Sequence, residues 1–284
     1  MRIFAFLISM LTSFFTGVIA YDTHNIHIQN YVFKSKKIKK TFSFAFLSDL
    51  HAKDFGYDNE AIVRSVIDAQ VDAVIMSGDM LTSKHGLKVD EAFALVKRLA
   101  SICPVYYGIG NHEARLNWEA GNYYMSYEEY LDIIRECGAI VLDNDSTLLE
   151  EFGITLSGLS LPARYYHGFG NKPLDAVDVK KFVGAKDDNY NILIAHNPEH
   201  RKAYDDYGAD LTLAGHLHGG VMRLWGNYGA ITPRFRIFPG YAGGVIKGRR
   251  GRMIISRGLG LHTIPVRVFN PCELDFVTIV KKES

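Results

Sequence analysis

Five short apolar runs in this chain each end in residues of the kind that bind metals, and that repetition narrows the possible folds more than any other feature. Phe42–Leu47 is followed by Ser48-Asp49-Leu50-His51, Ala73–Met76 by Ser77-Gly78-Asp79, and residues 105–109 by Gly110-Asn111-His112-Glu113. Further on, residues 192–195 run into His196-Asn197, and Leu211–Ala214 into Gly215-His216-Leu217-His218-Gly219. Short runs of this composition predict strands buried on both faces. Strand carboxyl ends of an open α/β sheet lie side by side, so these ends are expected to gather Asp, Asn and His into one cluster. In extended chain, residues i and i+2 point the same way, which pairs Asp49 with His51 and His216 with His218. The glycines before Asp79, Asn111 and His216 suit turns in which backbone approaches a ligand closely. Taken singly, a Gly-Asp is an ordinary turn and a strand-final His an ordinary polar residue. The recurrence in one order carries the argument.

Further strands are predicted at 154–157, 253–256 and 274–280. Helices lie between the early ones. Ile62, Val63, Val66 and Ile67 make one apolar face, and Phe93, Leu95, Val96 and Leu99 another. A third helix starts at the capping box Ser126-x-x-Glu129 and ends at Gly138; a fourth has Asn197 as N-cap and Pro198 in its first turn, and closes at Gly208. The first part reads βαβαβ, and the part from Leu211 onward is richer in strand and glycine. This pattern predicts an α/β sandwich with mixed sheets.

Residues 3–20 contain no charged side chain. As a helix they would span roughly 27 Å, close to the hydrocarbon thickness of a bilayer. The absence of a polar stripe argues against a buried soluble helix. A retained membrane anchor is favoured over a secretory signal cleaved near Ala20. Arg2 and the lysines at 34, 36, 37, 39 and 40 flank the run, and the rest of the chain is read as extracytoplasmic. The organisation is therefore residues 1–21 as anchor or signal, 22–41 as a connecting segment forming an edge strand, and 42–284 as one folded domain. With 32 Lys+Arg against 31 Asp+Glu, the net charge of +1 gives no reason to expect a nucleic-acid partner. Cys103, Cys137 and Cys272 are too scattered for a disulfide scaffold or a zinc finger.

The order D-x-H, GD, GNHE, strand-final H and GHxH resembles the calcineurin-like metallophosphoesterase family, over residues 42–280. More narrowly, Asp49-Leu50-His51, the block from Ile194 to Glu199, Gly215-His216-Leu217-His218-Gly219-Gly220 and Ser256-Arg257-Gly258-Leu259-Gly260 resemble its membrane-associated bacterial phosphodiesterase branch. The resemblance implies two stacked mixed β-sheets flanked by helices, an αββα sandwich. It implies that Asp49, His51 and His218 hold one divalent ion, Asn111, His196 and His216 a second, and Asp79 bridges both. Ligands of this mixture suit Mn, Fe or Zn. It further implies hydrolysis of a phosphodiester or pyrophosphate by a metal-bridging hydroxide, with His112 serving the leaving oxygen. A narrower possibility is a pyrophosphatase acting on a nucleotide-linked lipid of the UDP-diacylglucosamine type; another is a metal-binding surface protein without turnover. Val221 stands where these relatives usually carry Gln.

Other features are read plainly. The basic stretch 247–252 is expected to be a solvated hairpin turn rather than an anion site. Tyr123, Tyr124, Tyr127 and Arg115 could wall a substrate pocket or simply pack, and Arg164, Arg223 and Arg257 could reach a phosphate. His24, His27, His85, His167, His200 and His262 lack the strand-end context and are taken as ordinary polar residues.

Overall fold

The computed structural model describes residues 1–83, 86–166, 173–220, 222–225, 228–231, 241–261 and 265–283. His85, His167, His262 and Val221 lie outside them. The chain opens with helix α1 (Arg2–His24) and strand β1 (Ile26–Ser35). It continues through β2 (Phe42–Leu47), α2 (Glu60–Ala69), β3 (Ala73–Met76), α3 (Asp90–Ala100), β4 (Val105–Gly108), α4 (Asn111–Trp118) and α5 (Tyr127–Glu136). Then come β5 (Ala139–Leu142), β6 (Asp145–Leu149), β7 (Ile154–Leu159), α6 (Ala176–Val183), β8 (Tyr190–Ala195), α7 (Arg201–Tyr207) and β9 (Leu211–Ala214). Strands β10 (Met222–Trp225), β11 (Tyr228–Ile231), β12 (Gly244–Lys247), β13 (Arg252–Ile255) and β14 (Cys272–Lys281) complete it.

Two six-stranded sheets result, ordered β1-β14-β2-β3-β4-β5 and β12-β13-β9-β8-β7-β6. Each has four parallel strands, β2 to β5 in one and β13, β9, β8 and β7 in the other, with antiparallel additions outside them. The apolar runs explain the stacking. Phe42, Phe44 and Phe46 alternate into the space between the sheets, where they meet Ile192, Ile194, Leu211 and Leu213. Ala45 and Leu47 point the other way, into a second core made with α2, α3 and α5. A third core lies between the other sheet and the helices α6 and α7. This is the mixed-sheet α/β sandwich that the alternating pattern predicts. It adds strands that the apolar runs did not announce, β5, β6, β10, β11 and β12, while the edge strand expected between 22 and 41 is β1, which runs parallel to β14.

The helix signals act as expected. Ser126 Oγ accepts the Glu129 N–H and the Glu129 carboxylate accepts the Ser126 N–H, so α5 starts on a full capping box. Asn197 accepts from the Glu199 N–H, and a single 3₁₀ turn precedes α7, which ends at Gly208 with φ 94°. The basic stretch 247–252 is a hairpin turn between β12 and β13.

Asp205, on α7, holds that turn. It accepts the backbone N–H groups of Arg249, Arg250 and Gly251 at 2.9, 2.8 and 3.1 Å. Partial burial works to raise the Asp205 pKa, but these three donors outweigh it and hold the carboxyl below its ordinary value. A folded pKa below the unfolded one means that the stabilisation is present above the ordinary carboxylate pKa and is lost as pH falls through the folded value. Asp205→Asn should therefore cost about 1 kcal/mol in urea unfolding at pH 7, and the difference should shrink as pH falls through the lowered folded pKa of the wild-type carboxyl.

Candidate metal centre

The predicted ligand blocks meet at one end of the sandwich, but they come from two sheets and not one. The carboxyl ends of β2, β3 and β4 supply Asp49 with His51, Asp79, and Asn111 with His112. Those of β8 and β9 supply His196 and the pair His216 and His218. The stacked sheets share this edge, so their ends face each other across it.

The ligand blocks are not extended. Asp49, His51, Asp79, His216 and His218 all have φ between 49° and 68°, in the left-handed region. L-residues with side chains rarely occupy it, and such strain collects at functional sites. The i, i+2 argument therefore works for one pair only. Asp49 and His51 share a group with His218, whereas His216 turns to Asp79 and His196. Glycine is what lets these turns interlock. A Cβ on Gly110 would overlap the Asp79 carboxylate, and one on Gly215 would overlap Ser48 and the Asp49 carboxylate. From the other side Leu259 and Gly260 donate their N–H groups to the carbonyls of Ser48 and Asp49, at 3.1 and 2.6 Å.

Three overlapping groups of ligand atoms result, one of them His51, Asp79 and His112, which shares a residue with each of the other two. Asp49, His51 and His218 place theirs within 4.8 Å of one another, and so do Asp79, His196 and His216. The Nε2 atoms of His51 and His218 face each other at 3.0 Å, and His218 Nε2 is 3.2 Å from Asp49 Oδ1. Asp79 Oδ2 lies 3.1 Å from His196 Nε2 and 3.8 Å from His51 Nε2, between the two groups. His196 Nδ1 donates to the Ser77 carbonyl at 2.9 Å, which turns the lone pair of Nε2 to the centre. That is the orientation a metal-binding imidazole takes. Asn111 Oδ1 is buried and accepts no hydrogen bond among the described residues. An orphaned amide oxygen beside two carboxylates and converging imidazoles fits a divalent cation.

The electrostatics point the same way. Burial opposes the charged forms of Asp49 and Asp79, but the surrounding histidines outweigh it and hold both carboxyls below the usual range. Burial also opposes a charged ring at His196, yet Asp79 and Asp49 raise its pKa to about 9. Two carboxylates out of water demand positive charge at this spot. His51 is pushed well below its ordinary value by burial and by neighbouring His112 and His218.

His112 stands beside this cluster at the start of α4, its ring centroid 4.6 Å from that of His51. Its N–H donates to Asp79 Oδ1 at 2.7 Å. Its Nδ1 accepts the Ser83 N–H at 3.0 Å, so the neutral ring carries its proton on Nε2. Burial lowers its pKa to about 4. The ring is thus placed as a neutral donor through Nε2–H.

Several positioning residues escaped the sequence analysis. Glu113 is the most consequential. Its carboxylate accepts the N–H groups of Asp79, Met80 and Gly110 at 2.8, 2.8 and 3.1 Å, and the Tyr107 hydroxyl at 2.9 Å. It therefore pins the Asp79 turn to the Asn111 turn. Burial and the charge of Asp79 push its pKa up to about 7, against the pull of those donors. The available signal was its place three residues after Gly110, the N3 position from which an acidic side chain can reach back to the N-cap N–H. Ser48 donates to Asp49 Oδ2, and Ser77 to Ser48 at 2.8 Å. Asn270 donates its Nδ2 to the carbonyls of His218 and Gly220, both at 2.7 Å.

Most of the other candidates have partners of their own among the described residues. Tyr127 donates to Asp143 at 2.7 Å, Tyr123 donates to Glu119 at 2.9 Å, and Tyr124 is exposed. Arg115 lies 3.7 Å from Glu119. Arg257 pairs with Glu273, and Arg164 stacks on Tyr165.

Comparison with known proteins agrees with this geometry. Residues 42–220 match the calcineurin-like phosphoesterase family, and the chain belongs to it. An uncharacterized metallophosphoesterase of Aquifex aeolicus is 25% identical over 268 residues, 92% of this chain and 94% of its own. Phosphodiesterase YaeI of Escherichia coli is 25% identical over 186 residues, 64% of this chain and 63% of its own. The uncharacterized metallophosphoesterase YkoQ of Bacillus subtilis is 23% identical over 239 residues, 84% and 83% of the two chains. The protein is thus a metal-dependent phosphoesterase.

Glu113→Gln removes an acceptor from four buried donors and sets an amide N–H₂ against some of them. Stability should fall by about 2–3 kcal/mol, and metal content measured by plasma emission should fall with it, because Asp79 loses its backbone support.

Proposed function

We propose that this protein is a membrane-tethered hydrolase of phosphodiesters that works with two divalent ions. The observation that carries the reading is the position of Asp79 between two groups of ligand atoms, each complete enough to hold a cation. Asp49, His51 and His218 would hold one ion and Asn111, His196 and His216 the other, with a carboxylate oxygen of Asp79 available to each. Bound there, Mn, Fe or Zn ions supply electrophilic stabilisation of the phosphoryl oxygens and an acidified water.

The protein's own groups do the rest. Glu113 and the interlocked glycine turns keep the ligand loops from spreading when the carboxylates repel each other. His112, fixed by the Ser83 N–H, presents Nε2–H as a hydrogen-bond donor to the leaving oxygen. A neutral donor stabilises the departing alkoxide as charge builds on it.

The tether is α1. It is long and apolar enough to cross a membrane, and none of the residues in its most apolar window is fully buried against the domain. We take residues 1–21 as the anchor, 22–41 as the connection that adds β1 at the sheet edge, and 42–284 as the catalytic unit, placed outside the cytoplasm.

Asp79→Asn should lose both ions and activity together, whereas Asp49→Asn should chiefly empty one site. Two ions retained per Asp79→Asn molecule would refute the shared carboxylate. His112→Asn should leave metal content intact and lower turnover by about 10²–10⁴-fold. The loss should be smaller for p-nitrophenyl diesters than for alkyl diesters, since a good leaving group needs less help; equal losses would remove His112 from the leaving-group role.

A further inference from the structure

The last residues of α1 behave differently from the rest of it. Asp22 and Thr23 are buried. Asp22 Oδ2 accepts the Asn270 N–H at 2.8 Å, and the Lys53 ammonium caps the Thr23 carbonyl at the helix end. Asn270 is also the residue whose side chain holds the His218–Gly220 loop. One residue therefore stands between the end of α1, held by its backbone N–H, and the loop of a predicted metal ligand, held by its side chain.

Phe269 immediately precedes it. Its φ is 53°, where a bulky residue is strained and Asn or Gly is at ease. It is 44% exposed, so burial in the domain core does not explain why an aromatic ring sits there. Its ring centroid lies 6.4 Å from that of Phe14 and 6.2 Å from that of Phe15. Those residues are five to six positions inside Ala20, about 8–9 Å back along the helix from the end of the uncharged run. Strain tends to persist where function over-determines a position. Here the strained residue carries an exposed aromatic ring level with a stretch of helix that has no polar face.

We propose that Phe269 is a second membrane contact: an aromatic wedge on the catalytic domain that enters the same leaflet as the end of α1. The inference rests on α1 lying in a bilayer. With both contacts made, Asn270 fixes the His218 loop just above the lipid surface, and the metal centre sits at the level of lipid headgroups. A phosphoester on a bilayer lipid then reaches it without leaving the membrane.

The full chain in phosphatidylcholine vesicles with brominated acyl chains provides the test. Phe14→Trp and Phe269→Trp are compared with wild type, whose Trp118 and Trp225 give the background. Both added tryptophans should be quenched. Quenching at 14 without quenching at 269 overturns the wedge and leaves the anchor standing; quenching at neither overturns both. Phe269→Asn supplies the control for a packing role. Asn accepts the left-handed backbone, so its Tm should equal or exceed that of wild type, and kcat/KM on a soluble p-nitrophenyl diester should stay within twofold. A Tm lowered by more than a few degrees would show that the ring is needed for packing and would overturn the proposal.

Discussion

Two carboxylates, Asp49 and Asp79, are buried together at the end of a sandwich whose strands are otherwise apolar, and the structure around them is organised by that fact. Neither can be neutralised cheaply: Asp49 accepts the Ser48 hydroxyl and the His216 N–H, Asp79 accepts the His112 N–H, and each faces an imidazole nitrogen within 3.2 Å. The charge is met by histidines drawn from both sheets, which ties the two sheets together at this edge more specifically than the apolar core could. Their backbone compensation is equally local. The Asp49 N–H donates to the Gly78 carbonyl and the His51 N–H to that of Asp79, so the first two loops are also paired as backbone.

Glu113 extends this arrangement inward. It is a third buried carboxylate close to the first two, tolerated because four donors surround it. Tyr107 passes the network on to Tyr130 on α5, with their hydroxyls 2.7 Å apart. A helix that contributes no ligand is thereby bonded to the turns that do. This chain of contacts explains why the residues flanking the ligands are polar while the strands leading to them are not.

Much of this was legible in the sequence. Strands buried on both faces read as continuous apolar runs, so Phe42–Leu47, Ala73–Met76 and Leu211–Ala214 were found at their observed bounds. Ser126, Asn197 and Gly208 marked helix ends because capping is local chemistry. The less legible parts depend on partners far away in the chain. Strand β6 (Asp145–Leu149) is a half-exposed edge with polar residues and forms only because β7 pairs with it. Helix α4 opens on Gly110-Asn111-His112, which reads as a turn until Glu113 closes the cap. The left-handed conformation of five candidate ligands has no signature in residue type, since Asp and His adopt it here under constraint from neighbouring loops. The extended-chain pairing therefore did not transfer to His216 and His218, which fall in different groups.

The position of β14 has a consequence for how the protein is made. Residues 272–281 lie between β1 and β2 in the first sheet, with Cys272 beside Ile26 and Asp275 beside Phe46. The sheet's interior is therefore closed by a strand that pairs with β1 and β2 across a sequence separation of more than 200 residues. Contacts so distant in sequence form slowly, and until they form the apolar faces of β1 and β2 remain open to other chains. The membrane anchor proposed for α1 would keep each unfinished chain apart from its neighbours during that interval.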